Sequence, residues 1–119
     1  MIFQEGNTYV LEIPLTFGED ELDINEVSLV EFMFNDIRKI YGTYYEGQTE
    51  INGDVTYDNN DKCFKVPLNQ EETFSLNIDN IIKYQARVKF NDDSVLGTEI
   101  YTGFLQESLS KEVLWWTLK

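Results

Sequence analysis

Alternation of apolar and polar side chains with a period of two constrains this chain more than any other feature of its sequence. The alternation is clearest in residues 82–90, where every second residue is apolar and the residues between them are lysine, glutamine or arginine. A period of two is typical of a β-strand with one buried face and one exposed face. The sequence therefore predicts a strand whose outer face carries Lys83, Arg87 and Lys89, and these three residues are a candidate contact surface.

Shorter runs of the same kind recur along the chain and are separated by turn-forming residues. Residues 58–61 (DNND) are a clear hairpin signal, since Asp and Asn tolerate the backbone angles of tight turns. The other strand-like runs are residues 8–16, 27–35, 37–45, 55–57, 63–66 and 95–105. Seven to eight short strands with turns every 8–12 residues or so indicate an all-β fold, an antiparallel β-sandwich.

One proline and one short segment interrupt the alternation. Pro14 cannot donate a backbone hydrogen bond, so the first long strand is expected at a sheet edge or with a bulge. Residues 68–76 form the one predicted helical turn, with Asn69 as its N-cap. We expect one sandwich domain over residues 1–105, followed by a C-terminal tail or arm over residues 106–119.

The composition excludes several kinds of chemistry. The 119 residues include no histidine and a single cysteine, Cys63. Catalysis by a Ser-His-Asp or Cys-His arrangement, an imidazole metal site and a cysteine-rich zinc site are therefore impossible within the chain. The acidic turn at residues 58–61 does not fit a calcium-binding loop, because Lys62 and Cys63 stand where a ligand and a glycine are needed. We expect no enzymatic activity, no cofactor and no metal.

The net charge of −13 disfavours nucleic acid as a partner, because binding to phosphates depends on Lys and Arg. Residues 1–36 contain nine acidic residues and no basic ones. This acidic segment is a solvated face, a docking surface for a basic neighbour or a cation-binding cluster. No signal peptide is expected, and no apolar run approaches the roughly 20 residues of a membrane helix, so we expect no membrane partner.

Aromatic residues are the remaining candidates for a binding role. Tyr41, Tyr44 and Tyr45 could form a sugar-stacking platform or could pack within the sandwich. Adjacent tryptophans in an extended chain point in opposite directions, so Trp115 and Trp116 cannot both enter one core. Large aromatic side chains are frequent anchors of protein interfaces. The candidate anchor within the tail consists of Leu114, Trp115, Trp116 and Leu118.

Several segments resemble small immunoglobulin-like domains of bacteriophage virion proteins, including the N-terminal domain of baseplate upper proteins. The resemblance spans about residues 2–105. Its segments are residues 3–8 (FQEGNT), 11–13 (LEI), 30–34 (VEFMF), 66–73 (VPLNQEET) and 84–92 (YQARVKFND).

This resemblance implies an immunoglobulin-like sandwich that serves as a non-enzymatic structural protein of a tailed phage particle, in the capsid, neck, tail or baseplate. Its partners would be other virion proteins and further copies of itself in a ring or shell, assembled in the host cytoplasm. The alternative is a carbohydrate-binding adhesion module of β-sandwich type, since stacking on exposed aromatics is a common function of such folds.

Overall fold

The computed structural model of the protein describes residues 2–4, 7–17, 20–76 and 81–106. A short 3₁₀ helix (Ile24–Glu26) and one α-helix, α1 (Gln70–Ser75), accompany the strands. The strands in this part of the chain are β1 (Ile2–Gln4), β2 (Tyr9–Ile13), β3 (Thr16–Phe17), β4 (Asp20–Glu21), β5 (Val27–Phe34), β6 (Ile37–Tyr41), β7 (Thr43–Glu46), β8 (Thr49–Asn52), β9 (Thr56–Asp58), β10 (Cys63–Leu68), β11 (Ile81–Phe90), β12 (Val95–Gly97) and β13 (Tyr101–Gln106). The all-β prediction is confirmed.

Two sheets pack face to face. The larger sheet has the order β1-β13-β11-β5-β6, with β12 also paired to β11, and the smaller has the order β2-β10-β9. Phe32 of β5 and Phe64 of β10 meet between the sheets with ring centroids 5.5 Å apart. Their neighbours Val30, Val66 and Val88 are fully buried. Burial of these side chains between the layers makes the fold a β-sandwich.

Most strand pairs are antiparallel, as the alternation predicts, but β1 and β13 are parallel, with Ile2 facing Phe104. The predicted continuous strand over residues 37–45 is interrupted at Gly42, which has a φ of 102°. The chain therefore leaves the large sheet after β6 and forms the separate β7–β8 hairpin. The strand segments are consequently shorter and more numerous than the periodicity suggests.

Three local predictions are confirmed. Strand β2 lies at an edge of the small sheet and ends at Ile13, directly before Pro14. Asp58 accepts hydrogen bonds from the backbone N–H groups of Asn60 and Asp61, at 2.8 and 3.1 Å, in the β9–β10 turn. The side chain of Asn69 caps α1 by accepting from the backbone N–H of Glu72, and Glu72 in turn accepts from the backbone N–H of Asn69.

Candidate protein-contact surfaces

The predicted basic residues of β11 lie on the outer face of the large sheet. Ile82, Ala86 and Val88 are buried on the inner face, so the residues between them face outward. Lys83, Arg87 and Lys89 are all exposed there, as the alternation indicates.

Acidic residues of the chain itself partly neutralise this basic face. Glu31, which faces Arg87 across the β5–β11 pair, lies 3.9 Å from the Arg87 guanidinium. The same carboxylate is 2.8 Å from Nε of Arg38, its closer partner. Lys89 lies 3.5 Å from the largely exposed Asp93. Exposed pairs of this kind stabilise a fold by about 0–1 kcal/mol, so they leave the face available to an acidic partner.

The candidate anchor residues Leu114, Trp115, Trp116 and Leu118 lie outside the described residues. The proposed boundary between a domain over residues 1–105 and a tail over residues 106–119 also falls where the described part of the chain ends, at residue 106. The sequence remains the basis for both predictions.

Four exposed apolar residues lie where β12 leads into β13. Val95, Leu96, Ile100 and Tyr101 have between 47% and 64% of their surface exposed, and we call this segment of the sheet edge the apolar edge. Among the described residues, β12 pairs with β11 alone. An exposed apolar strand at a sheet edge is a template for pairing with another chain, and natural proteins commonly protect such edges with charge or proline. The β12 strand contains neither.

The sequence pattern did not single out the apolar edge, because residues 95–105 resemble one ordinary returning strand. The structure interrupts that strand at Thr98, whose hydroxyl accepts a hydrogen bond from the backbone N–H of Ala86 at 3.1 Å. The backbone N–H of Thr98 donates to the Ala86 carbonyl at 2.9 Å, and the Gln85 side chain donates to the Thr98 carbonyl at 2.8 Å. These bonds hold the connection against β11 while residues 99–101 are exposed.

A cavity of about 220 Å³ opens beside the apolar edge. Tyr84 lines the cavity and is the middle ring of a stack of three, with the Phe34 ring centroid at 6.1 Å and the Tyr101 ring centroid at 5.5 Å. Small-molecule sites usually measure about 300–1,000 Å³, so this cavity is better suited to a single large side chain. Residues from both sheets and their connections line it, and none of them is charged: Ile13, Pro14, Leu15, Thr16, Phe32, Phe34, Tyr84, Gln85, Ala86, Thr98 and Tyr101.

The three tyrosines considered as a sugar platform have three different environments. Tyr41 packs edge-on against Phe64, between the sheets. Tyr44 lies beneath the Arg38 guanidinium, 5.0 Å from the ring centroid, in a cation–π contact. Tyr45 is largely exposed on the β7–β8 hairpin. No common platform of these three rings is present.

The buried titratable groups have structural surroundings. Burial raises the pKa of the Cys63 thiol, and the carboxylates of Glu12 and Asp58 raise it further, so the thiol is held in its less reactive form. Burial lowers the pKa of Lys39, but its hydrogen bonds to Glu72 and Asp54 outweigh that effect, and the net pKa is raised. Lys39 is therefore held as a paired ammonium group.

Among the described residues, no three cysteine, aspartate or glutamate side chains lie close enough together to hold a metal ion. No helix among them is long and apolar enough to cross a membrane.

Comparison with known proteins gives no match for this chain among protein-family models, curated proteins or solved structures.

Proposed function

We propose that this chain is a non-enzymatic structural protein of a tailed bacteriophage particle, a capsid, neck, tail or baseplate component that acts through protein–protein contacts. The observation that carries the proposal is the apolar edge. Val95, Leu96, Ile100 and Tyr101 are exposed apolar residues in and directly after β12, which pairs with β11 alone among the described residues. An exposed apolar edge strand of this kind is a template for pairing with another chain.

Charge distribution adds to the case for contacts between proteins. The chain carries a net charge of −13, and β11 nevertheless presents Lys83, Arg87 and Lys89 on one exposed face. A basic face on an acidic protein suits an acidic neighbour, including the acidic face of a further copy. We expect repeated copies in a ring or shell, assembled in the host cytoplasm, to use this face.

A second candidate function is carbohydrate binding at a host surface. The observation that favours it is the exposed ring of Tyr101, which stacks on Tyr84 beside an uncharged cavity. Sugars commonly stack on such rings. A sugar ligand would depend on Tyr101 itself, so replacing Tyr101 by alanine would abolish binding.

The location of the chain in phage particles tests the first candidate. Antibodies raised against the protein should label purified tailed particles, and mass spectrometry should find the chain there in multiple copies per particle. Absence of the chain from purified particles would refute the proposal. Titration with host cell-wall oligosaccharides tests the second candidate, and saturable binding that Tyr101→Ala removes would favour adhesion over a purely structural role.

Self-association in solution is a further expectation. Truncation after Ser110 removes Leu114, Trp115, Trp116 and Leu118 together. We expect the truncated protein to lose incorporation into particles or oligomer formation. Unchanged assembly of the truncated protein would contradict a role for these residues as the anchor.

A further inference from the structure

We propose that the apolar edge binds residues 113–118 of a second copy of this chain as an added β-strand, with one tryptophan in the neighbouring cavity. The inference rests on the proposed function, in which the chain acts through protein–protein contacts, and it names the partner. Strand addition at a sheet edge is a common mode of peptide recognition, in which backbone hydrogen bonds provide affinity and pockets provide specificity.

The acidic residues on either side of β12 argue against pairing of this strand with its own copy. Antiparallel pairing centred on Leu96 would bring the turn that carries Asp93 of one copy towards the connection that carries Glu99 of the other, twice in each dimer. Like charges that approach each other oppose such pairing. An uncharged apolar strand therefore fits this edge better than a second β12 does.

Residues 113–118 (VLWWTL) have these properties. The segment carries no charge, glycine or proline, and it consists of aromatic, β-branched and leucine residues, which favour strands. In an extended strand Trp115 and Trp116 point to opposite faces, so one of the two is directed to the side of the sheet on which the cavity opens.

The cavity matches one tryptophan side chain in size and chemistry. An apolar cavity of about 150 Å³ holds benzene, so about 220 Å³ accommodates the larger indole ring. A buried indole N–H needs an acceptor, and three of the residues that line the cavity, Thr16, Gln85 and Thr98, carry a side-chain oxygen. The stacked rings of Tyr84 and Tyr101 provide an aromatic wall.

Chain length favours a second copy over the same chain. Phe104 pairs with Ile81 of β11, and Leu96 pairs with Val88 of the same strand. Phe104 and Leu96 are therefore seven residues apart along the direction of β11. Gln106 lies two residues beyond Phe104, which places it about nine residues, or roughly 30 Å, from the level of Leu96. Trp115 follows Gln106 by nine residues, which reach at most about 30 Å when fully extended.

Measured to the cavity, which lies beside Tyr84–Ala86, the span from Gln106 is about six residues, or roughly 20 Å, so the same chain would have only about 10 Å left for the reversal of direction that it would need. In addition, β1 occupies the outer side of β13 at Phe104–Gln106, on the direct route back. A tail that comes from another copy has neither restriction. The contact is heterologous, with a tail of one copy on an edge of the next, and such contacts build rings or chains of copies.

A pair of full-length variants tests the proposal by complementation. Leu96→Lys places a charge in the edge and leaves the tail intact, whereas the double variant Trp115→Ser with Trp116→Ser disables the tail and leaves the edge intact. Val10→Lys is the matched control, because Val10 is an exposed apolar residue on β2, an edge strand of the other sheet. Sedimentation velocity gives the mass of each protein alone and in mixtures, and circular dichroism verifies that each is folded.

We expect the unmodified protein and the Val10→Lys control to self-associate as concentration rises, while the two test variants stay monomeric alone. Mixed in equal amounts, the test variants should form a one-to-one complex, since one supplies an intact edge and the other an intact tail. A mixture that stays monomeric would overturn the proposal, as would self-association of Leu96→Lys at the unmodified level. If the mixture stays monomeric but the chain is present in phage particles, the tail–edge contact is wrong and the proposed function still stands. If the mixture forms the complex but the chain is absent from phage particles, the contact stands and the proposed function is wrong.

Discussion

Lys39 Nζ lies 2.7 Å from Oε2 of Glu72 and joins β6 to α1. Lys39 faces the interior and has only 8% of its side chain exposed, and Asp54 is its second partner at 2.9 Å. Glu72 uses its other carboxylate oxygen to accept from the backbone N–H of Asn69 at the start of α1. One side chain thus closes the helix cap and neutralises a buried ammonium group, so the helix position and the lysine charge depend on each other.

Two substitutions of Glu72 separate its ion pair with Lys39 from its role in the helix cap, and both should destabilise the fold. Glu72→Gln keeps an acceptor for the helix cap but leaves the Lys39 ammonium with Asp54 alone, and we expect a loss of about 1–3 kcal/mol in the free energy of unfolding. Glu72→Ala also removes the cap acceptor and should cost about 1 kcal/mol more. Urea unfolding measures both, with the exposed neighbour Glu71→Gln as the control. Equal stability of Glu72→Gln and Glu71→Gln would contradict this account of the pair.

The folded protein should become less stable at alkaline pH because Lys39 loses its proton there. Its pKa in the folded protein lies above the ordinary value of 10.5, so folding favours the protonated form. The resulting stabilisation is complete below pH 10.5 and is lost as pH rises through the raised pKa. Lys39→Met keeps most of the side-chain volume and removes the titrating group. The difference in unfolding free energy between the unmodified protein and Lys39→Met should therefore shrink as pH rises above 10.5 and through the raised pKa. A constant difference across this range would show that Lys39 does not carry the effect.

Gly53 should not tolerate alanine, because a Cβ atom there would lie 1.9 Å from the carbonyl oxygen of Ile40. The close approach accompanies the hydrogen bonds from Gly53 N–H to Gly42 O and from Val55 N–H to Ile40 O, which hold the return from the β7–β8 hairpin against β6. We expect Gly53→Ala to cost about 1–3 kcal/mol, typical of overpacking.

Gly97→Ala is the matched control, since its Cβ would meet only ordinary contacts at 3.5 Å. We expect that substitution to leave stability unchanged or slightly raised. Thermal unfolding of the two variants checks the prediction, and equal melting temperatures would refute it.

Acid should weaken the β9–β10 turn through Asp58. Hydrogen bonds from the backbone N–H groups of Asp61 and Asn60 hold the pKa of Asp58 below its ordinary value of 3.8. The stabilisation from this group is present above pH 3.8 and is lost as pH falls through the lowered pKa. Asp58→Asn keeps an acceptor oxygen without the charge, so its melting temperature should depend less on pH in this range. Asp61→Asn, in the same turn, should retain the dependence of the unmodified protein, and loss of the dependence in both variants would assign it to another group.

The parts of the fold that depend on local pattern were predictable from the sequence. Alternation along residues 82–90 identified the buried and exposed faces of β11, because side chains of a strand point to opposite sides. Asp58 and Asn69 identified a turn and a helix start, because their side chains bond to backbone groups two or three residues away. The exposure of Lys83, Arg87 and Lys89 followed from the same alternation.

Features that join distant segments required the tertiary structure. The partners of Lys39 come from the connection after β8 and from α1, 15 and 33 residues further along the chain, so no local pattern distinguishes this buried lysine from an exposed one. The cavity likewise takes its lining from both sheets. The apolar edge exists because Thr98 interrupts a strand that would otherwise continue. Thus the sequence by itself determined the all-β class, the buried and exposed faces of the strands and the positions of the turns, since those depend on neighbouring residues. Only tertiary packing decided which charge became buried and which apolar strand stayed exposed, since burial depends on what the rest of the chain places beside it.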